Sequence, residues 1–223
     1  MICIRAPQTQ DELLERVADI AGLSLGTLAG RYGKTVPDSL IKAKGWTGQL
    51  IEQVLGANAG SRAEPDFSNI GIELKTIPIN SNGLPGETTY VCTVPLADEI
   101  EPDWQSSWVR RKLTSVLWLP IEADKSIPLK ERRIGNAVLW HPSIEQEAAL
   151  KQDWEEHMEL ISLGRIHEIS AHHGVYLQIR PKAANSKALR NTTDEEGNLV
   201  KTLPRGFYLR TQFTAGILSN AYL

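Results

Sequence analysis

Apolar and polar residues alternate over residues 70–77, and this alternation predicts a short β-strand. The apolar side chains fall on one face, which should point into a core, while Glu73 and Lys75 share the other face. A Pro-Asp turn at residues 65–66 precedes the strand, so the Asp66 carboxylate can fold back beside Glu73. The pattern therefore predicts two carboxylates and a lysine on one polar face backed by aliphatic residues.

The rest of the hydrophobic pattern predicts an α/β fold of the mixed α+β kind. Apolar residues at helical spacing predict helices at residues 9–21, 48–55 and 144–163, and a short terminal helix starting at Thr214. Shorter apolar runs predict further strands at residues 88–94, 115–121, 137–140, 175–179 and 206–213.

Two features of this pattern indicate how the strands are arranged. The run at residues 115–121 is almost entirely apolar, which is typical of a strand in the centre of a sheet. An Asn-Gly pair at residues 82–83 predicts a hairpin-like return from the strand at 70–77 to the strand at 88–94. The polar residues 183–203 are interpreted as a connection with one turn at residues 196–198.

The polar face of the first strand suits phosphodiester hydrolysis. The oxygens of Asp66 and Glu73 are hard ligands that can hold Mg²⁺, with the backbone carbonyl of Leu74 as a further ligand. The ion would polarise a phosphate and lower the pKa of a bound water. Lys75 would orient that water or stabilise negative charge as it develops, and Glu52, which borders the apolar stripe of the predicted helix, could assist. These residue types are common, so an edge strand with a solvated Glu and Lys remains an alternative explanation.

Charge and composition limit the partners and the compartment. The formal net charge is −3, but residues 180–210 carry seven Lys or Arg against three Asp or Glu, a local excess of four positive charges. Such segregation allows a basic, nucleic-acid-binding face on an acidic protein, although solvated charge runs are equally frequent. Cys3 and Cys92 indicate no disulfide framework, and neither a signal pattern nor a membrane-length apolar run is found. We therefore expect a cytoplasmic protein with no membrane partner.

Two alternative sites are not supported by their spacing. Gly33-Lys34-Thr35 resembles the end of a phosphate-binding loop, but Leu28 occupies the position that should be glycine. His167, His172 and His173 do not have the four-residue spacing of the helical zinc motif. Neither an NTPase nor a zinc hydrolase is expected.

Several blocks of the sequence resemble the MutH family of mismatch-repair endonucleases, and together they span nearly the whole chain. The Glu-x-Lys core is shared by many nucleases, whereas the Gly-Trp-Thr-Gly-Gln and Ile-Arg-Pro-Lys blocks are far more specific. The matching blocks are residues 44–52, 65–66, 71–78, 175–184 and 206–210.

This resemblance implies a fold like that of type II restriction endonucleases, with a central mixed sheet flanked by helices. It implies a single endonuclease domain over residues 1–223, with two lobes around a DNA cleft. The catalytic residues would lie in the N-terminal half and the base-reading loops in the C-terminal third.

The resemblance also implies an activity and its partners. The enzyme would be a Mg²⁺-dependent endodeoxyribonuclease, with Mn²⁺ as a substitute, that nicks the unmethylated strand at hemimethylated GATC sites and also takes unmethylated sites. It would act as a monomer in the bacterial cytoplasm, activated by MutL after MutS has found a mismatch.

Residue roles carry over by position. Asp66 and Glu73 would bind the metal, Lys75 would be the catalytic lysine, and Glu52 and Lys112 would be further catalytic residues. The residues implied in DNA binding are Lys44, Gly45, Arg180, Pro181 and Lys182, with Tyr208 as the sensor of the adenine methyl group. Arg180, Pro181 and Lys182 would form a basic loop that reads base edges, and arginine and lysine are the usual readers of guanine in the major groove.

Two other functions remain as alternatives. A GATC restriction endonuclease of similar fold would cut both strands. A non-catalytic DNA-binding module would keep the basic loop, but it would gain nothing from carboxylates that face a phosphate.

Overall fold

The structure is a computed structural model that describes residues 4–39, 43, 45–60, 62–97, 103–182 and 188–221. Helices and strands are interspersed, as expected for a mixed α/β fold. The helices are α1 (Gln10–Ile20), α2 (Leu25–Arg31), α3 (Trp46–Leu55), α4 (Trp108–Leu113), α5 (Ile144–Ser162) and α6 (Thr211–Ala221). The strands are β1 (Glu73–Ile79), β2 (Thr89–Thr93), β3 (Val116–Glu122), β4 (Val138–Trp140), β5 (Leu177–Pro181), β6 (Arg190–Thr193), β7 (Leu199–Thr202) and β8 (Arg205–Leu209).

The chain forms two compact units, each assembled from separate segments. The first unit contains Met1–Glu87, Thr114–His141 and Ile217–Leu223, and the second contains Thr88–Leu113 and Pro142–Gly216. The predicted catalytic residues Asp66, Glu73 and Lys75 belong to the first unit, whereas the predicted base-reading residues from Arg180 to Tyr208 belong to the second.

The first unit is built on a mixed sheet with the strand order β1-β3-β4. Strand β1 runs parallel to β3, with Glu73 opposite Val116, and β4 runs antiparallel to β3. Six of the seven residues of β3 are buried, so the apolar run does form the central strand, as predicted. Buried residues of α1, α2 and α3 share one hydrophobic core with β1 and β3, and this core fixes the strand that carries the candidate site.

The second unit contains an antiparallel sheet with the order β2-β8-β5 and a separate hairpin of β6 and β7. Its longest helix, α5, begins with a capping box in which the Ser143 hydroxyl accepts the Gln146 N–H at 3.2 Å. The Gln146 side chain in turn accepts the Ser143 N–H at 2.9 Å. These two bonds satisfy backbone donors that the first helical turn would otherwise leave without partners.

Three local predictions are wrong. Strand β1 does not form a hairpin with the next strand: Ile79 bridges Pro85 in a tight return, but β2 pairs with β8 instead. Helix α2, which Ser24 caps, was not predicted, and the predicted turn at residues 196–198 is confirmed but joins the two strands of the unpredicted β6–β7 hairpin. The last strand ends at Leu209, and α6 begins at Thr211 rather than at Thr214.

Within the described ranges, no helix has both the length and the hydropathy that crossing a lipid bilayer requires.

The central strand provides a direct test of the core. Leu119 on β3 is fully buried, so Leu119→Ala should lower the free energy of unfolding in urea by about 2–5 kcal/mol, through lost burial and a residual cavity. Leu199→Ala is the matched control, because Leu199 also lies on a strand but is 71% exposed, and its effect should stay within about 0.5 kcal/mol. Equal losses in the two variants would contradict this description of the core.

Candidate active site

A small backbone hairpin brings the two predicted carboxylates together. Phe67 and Ile72 form an antiparallel bridge, in which the Phe67 N–H donates to the Ile72 carbonyl at 2.9 Å. The chain reverses between them through Gly71, whose φ of +69° lies in the left-handed region that favours glycine. The residues that flank this bridge are Asp66 and Glu73, so the turn chemistry places them side by side.

Reciprocal hydrogen bonds hold these two residues in register. The Leu74 N–H donates to Asp66 Oδ2 at 2.9 Å, and the Asp66 N–H donates to Glu73 Oε2 at 3.2 Å. Each carboxylate thus accepts a backbone donor from the other side of the hairpin. The structure therefore places Asp66 beside Glu73, where the turn before the strand predicted it.

The position of β1 in the sheet explains why the backbone of Leu74 is available to the candidate metal site. Among the described strands β1 pairs with β3, and the Glu73 N–H points to β3, where it donates to the Ser115 carbonyl at 2.9 Å. Successive residues of a strand alternate, so the N–H and the carbonyl of Leu74 both point to the opposite edge. That edge is where the Asp66 carboxylate lies. The predicted third ligand thus shares one edge of β1 with the two acids.

Lys75 is paired with the more buried of the two acids. Its Nζ lies 2.6 Å from Glu73 Oε1, and the exposed fractions of the two side chains are 12% and 2%. Ionised side chains are buried to this extent only when a partner compensates the lost hydration. The shared face that strand periodicity predicts for Glu73 and Lys75 is thus present as a short ion pair.

The charge and the atom types of this group suit a hard divalent cation. Asp66 and Glu73 contribute two negative charges against the one positive charge of Lys75, and their carboxylate oxygens and the Leu74 carbonyl are hard donors. A carboxylate oxygen has two lone-pair directions, so accepting a hydrogen bond is compatible with coordination by the same group. The residues present therefore fit Mg²⁺.

Glu52 lies on α3 beside the strand position that follows Lys75. Helix α3 approaches β1 closely at Gly48, where an added Cβ would be 3.7 Å from Thr76 Oγ1 and 3.8 Å from Glu52 Oε1. Glu52 is half-buried. The helix that sequence periodicity predicted thus carries this carboxylate toward β1, and its accessory catalytic role remains a prediction.

For three further predicted residues, the structure gives little or no information on their contacts with the candidate site. Gly45 is the residue before α3 and has a φ of +81°, so glycine suits this position. Lys44 lies outside the described residues. Lys112 lies on α4 in the second unit and is buried, and its proposed role in catalysis is an expectation from the resemblance alone.

The predicted base-reading residues lie on two paired strands of the second unit. Strand β5 pairs with β8 so that Arg180 is opposite Gly206 and Gln178 is opposite Tyr208. Arg180, Pro181 and Lys182 are exposed. The Arg180 guanidinium lies 5.9 Å from the centroid of the Tyr208 ring and donates to Thr88 Oγ1 at 2.8 Å. The structure therefore brings the predicted methyl sensor Tyr208 and Arg180 together, with Arg180 and Pro181 at the end of β5 and not on the loop that was predicted.

Tyr90 on β2 is a member of this group that sequence reasoning did not identify. Lys182 Nζ lies 3.1 Å from the centroid of the Tyr90 ring, and the Tyr90 and Tyr208 rings meet edge to face at 5.4 Å. A side chain at residue 206 would crowd both rings, since a Cβ there would be 2.9 Å from Tyr90 Cε2 and 3.0 Å from Tyr208 Cε2. Burial, with a smaller effect from Tyr90, raises the pKa of the Tyr208 phenol, which therefore stays protonated at neutral pH. Only the long-range pairing of β2 with β8 reveals Tyr90.

A second group of metal-capable side chains lies elsewhere in the second unit. The ligand atoms of His167, Glu168 and Glu195 lie within 4.8 Å of one another, and all three residues are exposed. Both Glu168 oxygens are already engaged by Arg165, at 2.7 and 2.6 Å. This group is separate from the predicted acid pair, and its exposure is typical of a solvated ion-pair network.

Comparisons with known proteins agree with the resemblance. A family model described as DNA mismatch repair enzyme MutH matches residues 55–153, which include Asp66, Glu73 and Lys75. A DNA mismatch repair protein MutH of Vibrio cholerae serotype O1 is 56% identical over 97% of this chain and 98% of its own length. Its namesake from Shewanella amazonensis is 55% identical over 97% of this chain and 96% of its own length. The chain therefore belongs to the MutH family of DNA mismatch repair enzymes, which are endodeoxyribonucleases with a restriction-endonuclease-like fold.

Proposed function

We propose that this protein is the Mg²⁺-dependent endonuclease of methyl-directed mismatch repair, which nicks the unmethylated strand of hemimethylated GATC sites. The observation that carries the proposal is the group of Asp66, Glu73 and Lys75, which two hydrogen bonds and an ion pair hold together at one edge of β1. Membership of the MutH family supports the role in repair.

In this proposal Asp66, Glu73 and the Leu74 carbonyl hold the cation, and Mn²⁺ can substitute for Mg²⁺. When bound, the cation supplies Lewis-acid chemistry, polarising the scissile phosphate and making water more acidic. Glu73 holds the Lys75 ammonium at 2.6 Å, so that this positive charge is already oriented before DNA arrives. Lys75 then orients the attacking water or stabilises the charge that develops on the phosphate oxygens.

The base-reading role is assigned to the second unit. The exposed Arg180 and Lys182 would donate to base edges of GATC, while Gly45 and Lys44 would contact the DNA backbone. A fixed tyrosine ring beside the adenine amino group would clash with a methyl group there. Contacts with Arg180 and Tyr90 hold the Tyr208 ring in place and support that role.

The proposed partners and compartment rest on the resemblance to the MutH family. We propose that the enzyme acts as a monomer in the bacterial cytoplasm on hemimethylated or unmethylated DNA. It would be activated by MutL once MutS has found a mismatch. With one group of predicted catalytic residues among those that the structure describes, a monomer would make one nick per binding event.

The catalytic proposal is tested on a supercoiled plasmid with one hemimethylated GATC site, at low salt with Mg²⁺, with and without MutL. Low salt is chosen because phosphate contacts weaken steeply as salt rises. The wild-type protein should nick only the unmethylated strand. Glu73→Gln and Lys75→Met should each reduce the nicking rate about 100-fold or more, because each removes a group that stabilises the transition state.

The matched controls are Glu155→Gln and Lys151→Met, which make the same changes in an exposed ion pair of α5. These variants should nick at the wild-type rate without MutL. Linear product would instead indicate a GATC restriction endonuclease. Binding without cleavage, even with MutL and Mn²⁺, would indicate a DNA-binding module and contradict the proposal.

Methyl sensing by Tyr208 has its own test. In Tyr208→Ala the ratio of nicking rates on unmethylated and fully methylated GATC duplexes should fall about tenfold or more, because the ring that excludes the methyl group is gone. Tyr208→Phe keeps the ring and should keep the ratio. The rates would be measured on end-labelled duplexes under single-turnover conditions, and an unchanged ratio in Tyr208→Ala would contradict the assignment.

A further inference from the structure

A buried carboxylate on α5 holds the chain where it enters β5. Asp153 is 2% exposed, and it accepts three consecutive backbone N–H groups. Its Oδ1 accepts from Val175 at 2.7 Å, and its Oδ2 accepts from Tyr176 at 2.6 Å and from Leu177 at 2.8 Å. A buried carboxylate is stable only with such partners, and charged hydrogen bonds of this length are among the stronger ones in proteins.

His157 contacts the same segment one helical turn further along α5. Its Nε2 lies 3.2 Å from the Leu177 carbonyl oxygen, which can only accept, so Nε2 carries the proton. Burial lowers the pKa of His157, so the ring is neutral near pH 7. Asp153 and His157, together called the α5 clamp, thus bind both the N–H and the carbonyl of Leu177.

The loop before β5 is shaped to fit the α5 clamp. Gly174 has a φ of +78°, and an added Cβ would overlap the Leu177 carbonyl oxygen, so this position requires glycine. The Arg210 guanidinium donates to the carbonyls of Ala171 at 2.7 Å, His173 at 2.9 Å and Gly174 at 3.0 Å. The backbone before β5 is therefore held by side chains from both α5 and Arg210.

The α5 clamp contacts β5 at its first residue, Leu177, where the strand is buried, whereas the end of the strand is exposed. Strand β5 is buried from Leu177 to Ile179 and exposed at Arg180 and Pro181. Side chains on a strand alternate, so a slip by one residue would turn Arg180 to the other face of the sheet. The bonds to Leu177 fix this register three residues before Arg180.

We infer that Asp153, supported by His157, is a positioning residue for sequence recognition, because it fixes the register of β5 and thereby places Arg180 beside Tyr208 and Lys182 beside Tyr90. This inference rests on the proposed base-reading role of those residues. Asp153 itself touches neither DNA nor reacting atoms in this scheme. Its effect should therefore appear in the choice of site rather than in affinity for DNA of any sequence.

The experiment compares wild type with Asp153→Asn, which keeps the shape but replaces one acceptor oxygen by a donor that opposes a backbone N–H. Nicking rates would be measured on GATC and on sites with one base pair changed. The GATC preference should fall about fivefold or more, since one misread base pair has an effect of that order. Amide hydrogen exchange should become faster at residues 175–180 and stay unchanged in β1.

Glu155→Gln is the matched control, because Glu155 is an exposed acid on the same helix, and it should change neither measurement. If Asp153→Asn does not fold, His157→Leu removes one bond only and should show a smaller change in the same direction. If Asp153→Asn shows faster exchange at residues 175–180 but keeps its GATC preference, Asp153 has only a structural role, and the inference is wrong. Unchanged exchange would also overturn it. A wild-type protein without GATC preference would instead refute the proposed function, whereas the exchange data would still decide whether Asp153 fixes β5.

Discussion

The arrangement of the candidate site depends on the hydrogen bond from the Leu74 N–H to Asp66 Oδ2, which holds Asp66 at the open edge of β1. A strand at the edge of a sheet has backbone donors and acceptors without a neighbouring strand. Here a carboxylate occupies the place of that strand, because the bridge between Phe67 and Ile72 folds Asp66 back onto the edge. The acid pair, the Leu74 carbonyl and the lysine are therefore positioned by the same few backbone bonds.

Different interactions hold the candidate functional residues in the two units. In the first unit the hydrophobic core holds β1 and β3, and charges are gathered at one edge of the sheet, where Lys75 compensates the buried Glu73. In the second unit buried polar groups of α5 hold the start of β5, and an aromatic and cationic group follows at its exposed end. Most of the residues predicted to act in catalysis and base reading thus lie on strands, which would keep them in fixed geometry.

The pattern of apolar and polar residues predicts features that depend only on neighbouring residues in the sequence. Alternation over residues 70–77 predicted the shared face of Glu73 and Lys75, and the continuous apolar run predicted that β3 is central. Pairing between distant segments was not predictable in this way. The pairing of β2 with β8 leaves no local signal, so Tyr90 was missed and a hairpin after β1 was wrongly predicted. Asp153 was missed for a similar reason, because its backbone partners lie more than twenty residues away.

Mn²⁺ binding followed by electron paramagnetic resonance would show whether the hairpin of Asp66 and Glu73 holds the proposed catalytic cation. The protein would be bound to a GATC duplex with a nuclease-resistant linkage at the cut position. Asp66→Asn can still accept the Leu74 N–H, so the hairpin is kept while a charge is lost, and Mn²⁺ affinity should fall about tenfold or more. Glu195→Gln, in the exposed group with His167 and Glu168, should leave Mn²⁺ affinity unchanged. Unchanged Mn²⁺ affinity in Asp66→Asn, with a loss in Glu195→Gln, would place the cation at the exposed group and not at the hairpin.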